Sequence, residues 1–186
     1  MTSTLPSGTG LMPVRRPDDH RPRLDELSTL PIAALARRFA AAPPTTTRDL
    51  GRLDGDLILR GFAPVGTGLL RRILARPSFF WQGKSFRHVD DGLIAGHNFF
   101  SVLGGTRGLP FTATIGPSVL DGLPAARIDY GDPRVRGTAL SRRLYDELRE
   151  IEPGLWLGPG YLRIGRRRVT LCWFAVDSSV GYGATA

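Results

Sequence analysis

The stretch of sequence that decides the fold begins with Trp81-Gln82-Gly83-Lys84-Ser85-Phe86 and ends with Val169-Thr170-Leu171-Cys172-Trp173-Phe174-Ala175-Val176. Within it, short runs of β-branched, aromatic and aliphatic residues alternate with glycine, proline and aspartate almost without interruption. That alternation is typical of an antiparallel sheet closed into a small barrel. A closed barrel of about eight strands either fills with its own side chains or holds one small molecule. The sequence therefore predicts a mainly β fold: a single closed antiparallel β-barrel with one or two short flanking helices.

Turn residues place the strands along the chain. Asp90-Asp91-Gly92 and Asp121-Gly122 each end in an Asp-Gly pair, whose glycine supplies the positive φ of a tight hairpin. The predicted strands cover residues 55–61, 85–88, 93–103, 109–115, 124–130, 155–164 and 169–176.

One segment, residues 138–151, fits two structures. As a helix it places Leu140, Leu144 and Leu148 on one face, whereas as a strand it places Glu147 and Arg149 on one side. We expect a helical start that passes into a strand near Leu148.

The flanks of the barrel carry weaker signals. Ser28 or Thr29 can cap a helix that takes Pro31 in its first turn, and a second short helix is expected over residues 67–76. Residues 1–26 lack a periodic apolar pattern, which indicates disorder. The predicted organisation is a disordered tail (1–26), an N-terminal helix (27–44), the barrel domain (45–178) and a flexible C-terminal tail (179–186).

Composition narrows the class of protein. No run of about 18 apolar residues and no secretory apolar region occur, so we expect a cytoplasmic protein with no membrane partner. The formal charge of +8 is spread over the chain, which argues against nucleic-acid binding, and Arg166-Arg167-Arg168 is interpreted as a solvated hairpin tip. Lys84 is the only lysine among 25 basic residues, a skew that fits gene composition. Cys172, the single cysteine, is expected to be an inert core thiol.

Familiar catalytic motifs are missing from the sequence. It contains no P-loop, no G-x-G-x-x-G between a strand and a helix, and no H-E-x-x-H. The three histidines, His20, His88 and His97, are not spaced as a metal site. We therefore expect neither a metal nor a cofactor.

Polar side chains interleaved with aromatic ones are the remaining signal of a site. Asn98 and Phe100 alternate with His97 on one predicted strand, and Arg127 and Asp129 alternate with Tyr130 on another. Mixed faces of this kind favour a ligand-lined barrel over a plain core, although alternation alone leaves open which face points inward. The predicted ligand-binding residues are Trp81, His97, Asn98, Phe100, Asp129, Tyr130, Tyr161 and Trp173.

The candidate catalytic residues are Arg127, Asp146 and Arg149. In one interpretation an arginine anchors a carbonyl or carboxylate oxygen while a carboxylate acts as acid or base. In the other, these charges form structural ion pairs. The sequence leaves both interpretations open.

Three segments together resemble a known group of proteins. These are Gly55-Asp56-Leu57-Ile58-Leu59-Arg60-Gly61, the run from Trp81 to Phe86, and Arg127-x-Asp129-Tyr130. They resemble bacterial lipocalin-like (calycin-type) proteins with a G-x-W-x-G motif followed by W-x-G-K-x-F. The similarity spans residues 50–177, with Leu57 in place of the motif's tryptophan. It implies a calycin-type barrel; similar barrels bind hydrophobic ligands, and some bacterial ones are cofactor-free cyclases in natural-product biosynthesis.

These observations lead to one functional expectation and one alternative. We expect a barrel that encloses a hydrophobic small molecule and acts as a cofactor-independent cyclase or isomerase on a polyketide- or terpenoid-like substrate. The alternative is a non-catalytic carrier or sensor of a hydrophobic ligand. A homodimer is compatible with the sequence, as is a monomer.

Overall fold

A computed structural model describes residues 22–62, 81–100 and 106–181. Within these residues three helices precede the sheet: α1 (Pro22–Thr29), α2 (Ile32–Ala41) and α3 (Thr47–Leu50). The strands are β1 (Gly55–Phe62), β2 (Trp81–Asp90), β3 (Leu93–Phe100), β4 (Thr106–Pro117), β5 (Pro124–Asp129), β6 (Leu144–Glu152), β7 (Leu155–Ile164) and β8 (Arg167–Gly181). A short 3-10 helix, Ser141–Arg143, leads into β6.

The eight strands form one closed antiparallel barrel. Each strand pairs with the next along the chain, and β1 pairs with β8 to close the sheet. The predicted fold class is confirmed. Asp91-Gly92 forms the predicted tight hairpin between β2 and β3, with a φ of +86° at Gly92. Gly122 also adopts a positive φ, +75°, but it lies in a six-residue loop, 118–123, between β4 and β5.

The predicted boundary between helix and strand in residues 138–151 differs from the structure. The strand expected near Leu148 already begins at Leu144, and only one turn of 3-10 helix precedes it. The reason is tertiary: Tyr145 to Arg149 are all buried by pairing with β5 and β7, which overrides the local helical pattern.

The N-terminal helices also differ from the prediction. Residues 22–26, expected in the disordered tail, belong to α1, because Leu24 and Leu27 are fully buried. Ser28 and Thr29 do not cap a helix; their hydroxyls donate to the Asp25 and Glu26 carbonyls within the last turn of α1. Pro31 occupies the N-cap of α2. The predicted helix over residues 67–76, the tail before residue 22 and the last five residues lie outside the described residues.

Two cores hold the barrel together. The interior core contains Leu59, Phe86, Phe111, Trp156 and Phe174 among other buried side chains. A second core forms where Leu24, Leu27, Leu35 and Phe39 of α1 and α2 pack on the outer face of β1, β7 and β8. The helices therefore shield part of the outer sheet surface and leave the interior to the strands.

The two ends of the barrel differ. At one end, called here the Trp81 end, β1, β3, β5 and β7 finish while β2, β4, β6 and β8 begin. Trp81, Leu109 and Leu144 pack on the interior core there and stay partly exposed. None of the helices in the described ranges is long and apolar enough to cross a membrane.

Candidate functional site

A lysine lies inside the barrel, close to the Trp81 end. Lys84 on β2 is fully buried, and its Nζ donates hydrogen bonds to Asp146 Oδ2 at 2.9 Å, Asn98 Oδ1 at 2.9 Å and Tyr130 Oη at 2.5 Å. These three bonds use all the donors of an ammonium group. Because a buried charge needs both a counter-charge and hydrogen bonds, Asp146 and its neighbours make the position tenable.

The remaining polar groups complete a network around this lysine. Tyr130 donates its hydroxyl to Asp146 Oδ2 at 2.7 Å, and Asn98 Nδ2 donates to Tyr130 Oη at 3.1 Å. Trp81 Nε1 donates to Asn98 Oδ1 at 2.8 Å. The network therefore reaches from the buried Lys84 to the partly exposed Trp81.

Aromatic rings surround the lysine ammonium. Its Nζ lies 5.0 Å from the ring centroids of Trp81 and Phe174 and 5.1 Å from those of Phe111 and Tyr130. At this distance the negative faces of the Trp81, Phe111 and Phe174 rings attract a cation, whereas Tyr130 approaches the ammonium through its hydroxyl. The charge is thus held by one carboxylate and by aromatic faces that exclude water.

Strand register explains why the carboxylate has room. Asp146, Gly160 and Cys172 are cross-strand partners on β6, β7 and β8. A Cβ atom on Gly160 would lie 2.9 Å from Asp146 Oδ1 and 3.2 Å from Cys172 Sγ. Within the described chain Asp146 Oδ1 receives no hydrogen bond, since Lys84 and Tyr130 both bind Oδ2. One carboxylate oxygen is held by hydrogen bonds, and the other lies against Gly160, where any larger residue would crowd it.

Burial sets the proton affinities in the network. It lowers the pKa of Lys84, and the Asp146 carboxylate opposes that shift. Burial and the nearby Asp146 carboxylate raise the pKa of Tyr130 well above its ordinary value. Burial also raises the pKa of Cys172 to about 12. Tyr130 and Cys172 therefore keep their protons at neutral pH.

The structure brings together four residues that the sequence singled out. Trp81, Asn98, Tyr130 and Asp146 all belong to the interior network. Phe100 lies beside them, as the register partner of Trp81. The face of β3 that carries Asn98 is thus the inward one.

The two candidate catalytic arginines lie on the outer face of the barrel. Arg149 makes a bidentate ion pair with Asp121, 2.6 Å to each oxygen, and also binds the Pro124 and Leu123 carbonyls. It fastens the β4–β5 hairpin and stacks on Phe39 of α2. Arg127 hydrogen-bonds the Tyr145 hydroxyl. Neither guanidinium contacts the interior network.

The other predicted ligand-binding residues also face outward. His97 packs against Phe99, and Asp129 pairs with Arg163. Tyr161 lies beside Tyr145, and Trp173 packs edge-on against Phe39 under α2. Strand alternation separates these side chains from the inward set.

Sequence reasoning missed Lys84, the centre of the network. The signal was present, because a chain that uses arginine for all its other basic side chains has one lysine. Arginine cannot lose its proton at accessible pH, whereas a buried lysine can. The compositional skew accounts for the many arginines. It does not account for the single lysine at position 84, which therefore points to a role that needs a lysine.

No group of three or more His, Cys, Asp or Glu side chains in the described ranges is arranged to hold a metal ion. The chain matches no protein-family model, and no curated protein or solved structure matches it significantly. The resemblance to lipocalin-like proteins therefore stays a prediction, and the barrel itself is established: a closed eight-stranded fold compatible with ligand binding.

Proposed function

We propose that the protein is a cofactor-independent isomerase or cyclase that binds an apolar, polyketide- or terpenoid-like carbonyl compound at the Trp81 end of the barrel. The observation that carries the proposal is the divided role of the Asp146 carboxylate. Oδ2 is held by Lys84 and Tyr130, while Oδ1 is unbonded beside Gly160. A positioned carboxylate with one free oxygen is suited to general base catalysis.

In this mechanism Asp146 Oδ1 removes a proton from the carbon next to the substrate carbonyl. The resulting enolate is either reprotonated by the same carboxyl group at another carbon, giving an isomer, or attacks a second carbonyl of the substrate and closes a ring. In the second case the alkoxide formed from that carbonyl takes the proton back from Asp146, which regenerates the carboxylate. No electrons leave or enter the substrate, so the reaction needs no redox partner.

Lys84 and Tyr130 support the same step. The ammonium lies 2.9 Å from Asp146 Oδ2 and supplies positive charge close to the developing enolate. The raised pKa of Tyr130 keeps its hydroxyl protonated, so it goes on donating to Asp146 Oδ2 and positions the carboxylate. Fixed positive charge in a water-poor interior stabilises a developing negative charge more strongly than water does. Arg127 and Arg149 have no part in this mechanism because they lie outside the barrel.

The test begins with native mass spectrometry of the purified protein and solvent extraction of any bound compound. The extracted compound is then incubated with wild-type protein and with Asp146→Asn, and its structure is followed by chromatography. We expect Asp146→Asn to bind the compound and to convert it at least about a hundredfold more slowly, the usual scale of a general base contribution. Asp54→Asn, at an exposed carboxylate, is the matched control and should retain turnover. Equal turnover in Asp146→Asn would reject the proposal.

A carrier without chemistry is the second candidate. It is favoured by the saturation of Lys84, whose three N–H donors all have protein partners. Such a network is sufficient to hold the barrel together without taking part in any reaction. Recovery of the extracted compound unchanged after long incubation with wild-type protein would favour the carrier.

A further inference from the structure

Folding gathers basic residues at one end of the barrel although they are scattered along the chain. Two segments meet at the Trp81 end, residues 129–143 between β5 and β6 and residues 163–171 around the β7–β8 hairpin. Arg163 joins them through an ion pair with Asp129 and a 3.5 Å hydrogen bond to the Leu144 carbonyl. Together the segments carry eight arginines and two aspartates, net +6. The other described residues carry 11 basic and 13 acidic groups, net −2.

Most of these arginines have no counter-charge. Asp129 pairs with Arg163, and Asp132 pairs with Arg134 at 2.7 Å. Six others are exposed and have no carboxylate within ion-pair distance in the part of the chain that the structure describes. This set, called here the arginine rim, consists of Arg136, Arg142, Arg143, Arg166, Arg167 and Arg168.

Exposed aliphatic side chains lie among the rim arginines. Leu140 is 67% exposed, Ile164 55%, Val169 47% and Leu171 44%. Ile164 and Val169 share one face of the hairpin with Arg167, whereas the cross-strand partners Arg163 and Arg168 lie on the other, so aliphatic and basic side chains are interleaved. Exposed apolar groups surrounded by charge mark an interaction surface.

We propose that the arginine rim and its aliphatic side chains dock the Trp81 end on an anionic lipid bilayer. Arginines near such a surface are attracted to lipid phosphates, and aliphatic side chains enter the boundary between headgroups and acyl chains. A nucleic acid is the other polyanion to consider. Single strands are bound through exposed aromatic rings, and the exposed large apolar residues in the described chain are all aliphatic.

Docking in this orientation gives the proposed function a source of substrate. The partly exposed Trp81, Leu109 and Leu144 lie at the same end, so an apolar molecule can pass from the bilayer to the interior network without crossing bulk water. This part of the inference rests on the proposed function, whereas bilayer binding does not.

The experiment is flotation of the full chain with vesicles of phosphatidylcholine, alone or mixed with phosphatidylglycerol, at low and high salt. We expect binding to the mixed vesicles only, weakened by salt. The Arg166→Ser and Arg167→Ser double variant should lower the partition coefficient about thirtyfold, since about 1 kcal/mol per basic residue corresponds to about fivefold each. Arg37→Ser with Arg48→Ser removes the same charge at exposed sites elsewhere, where neither arginine has an ion-pair partner among the described residues, and should bind like wild type.

A second pair of variants tests the aliphatic contribution. Ile164→Ser with Val169→Ser should weaken binding to mixed vesicles without changing its salt dependence, whereas Val89→Ser with Leu120→Ser, at the opposite end, should not. Equal binding to both vesicle types, or equal loss in the two arginine double variants, would overturn the proposal. So would rim-dependent binding of an oligonucleotide by a protein that ignores vesicles. None of these outcomes depends on turnover, so the proposed function is tested separately.

Discussion

Lys84 and Asp146 form an ion pair in the barrel interior, with 2.9 Å between Nζ and Oδ2. The lysine is fully buried, and the aspartate residue is 6% exposed. Tyr130 donates to the same carboxylate oxygen, so the two charges are satisfied within one compact set of bonds. In such a setting each charge depends on the other, because the solvent that would replace a lost partner is excluded.

That dependence predicts strong coupling in unfolding experiments. Lys84→Met and Asp146→Leu should each lower the free energy of unfolding by about 3–5 kcal/mol, since each leaves an uncompensated buried charge. The double variant should cost much less than the sum, because it removes both charges. Urea denaturation of the four proteins gives the coupling energy. If the losses of unfolding free energy in the two single variants simply add in the double variant, the two charges do not stabilise each other as the structure indicates.

We expect Arg149 to stabilise the fold rather than to take part in catalysis. Arg149→Lys loses the planar, bidentate pairing with Asp121 and should lower the free energy of unfolding by about 2–4 kcal/mol. Amide hydrogen exchange should accelerate in the β4–β5 hairpin. The control is Arg52→Lys, at an exposed pair with Asp49, which should cost about 1 kcal/mol or less. A similar, small loss in both variants would contradict the fastening role of Arg149.

His97 should make the fold less stable in mild acid. Burial, with a contribution from Arg107, lowers its pKa from 6.5 to about 4. As pH falls through 6.5 the unfolded chain takes up a proton on this residue, while the folded protein does so only near pH 4. The unfolded state therefore binds more protons in this window, and stability falls as pH decreases.

The measurement is thermal unfolding of wild type and His97→Gln between pH 4 and 6.5. His97→Gln should lose part of the pH dependence in this window. His88→Gln, at an exposed histidine, serves as the control and should follow wild type. An unchanged pH profile in His97→Gln would show that other groups cause the dependence.

Cys172 should react slowly with alkylating reagents while the barrel is intact. Its pKa of about 12, against an ordinary value of 9.0, reduces the thiolate fraction at neutral pH about a thousandfold. Iodoacetamide labelling followed by mass spectrometry should be correspondingly slow and should accelerate in denaturant. Leu171→Cys in a Cys172→Ser background places a thiol at an exposed neighbouring position. That thiol should react quickly in the folded protein, and equal rates for the two thiols would reject the prediction.

The sequence was sufficient for the barrel because its signals are local. The Asp-Gly hairpin at Gly92 and the predicted strand Leu155–Ile164 occur in the structure as expected. The start of β6 was misplaced because the stabilising contacts of Tyr145 and Asp146 come from other strands. Local periodicity contains no information about those partners.

The sequence identified some residues of the candidate site but could not separate them from residues that face outward. Asn98 and Tyr130 were selected as residues on predicted strands and Asp146 as a charged candidate, yet His97 and Arg127 were selected on the same grounds and face outward. Only closure of the barrel decides which alternate residues meet. The arginine rim was missed for a similar reason, since charge counted along the chain does not show charge gathered in space.

The uneven distribution of charge also makes the described barrel an electric dipole, with its positive pole at the Trp81 end. In the field of a polyanion such a molecule experiences a torque before any atoms touch, over a Debye length of about 8–10 Å at moderate salt. A barrel with uniform charge would find its docking orientation only by random collision. Here rotation during diffusion would turn the Trp81 end toward the polyanion, so a larger share of encounters would be productive, most of all at low ionic strength.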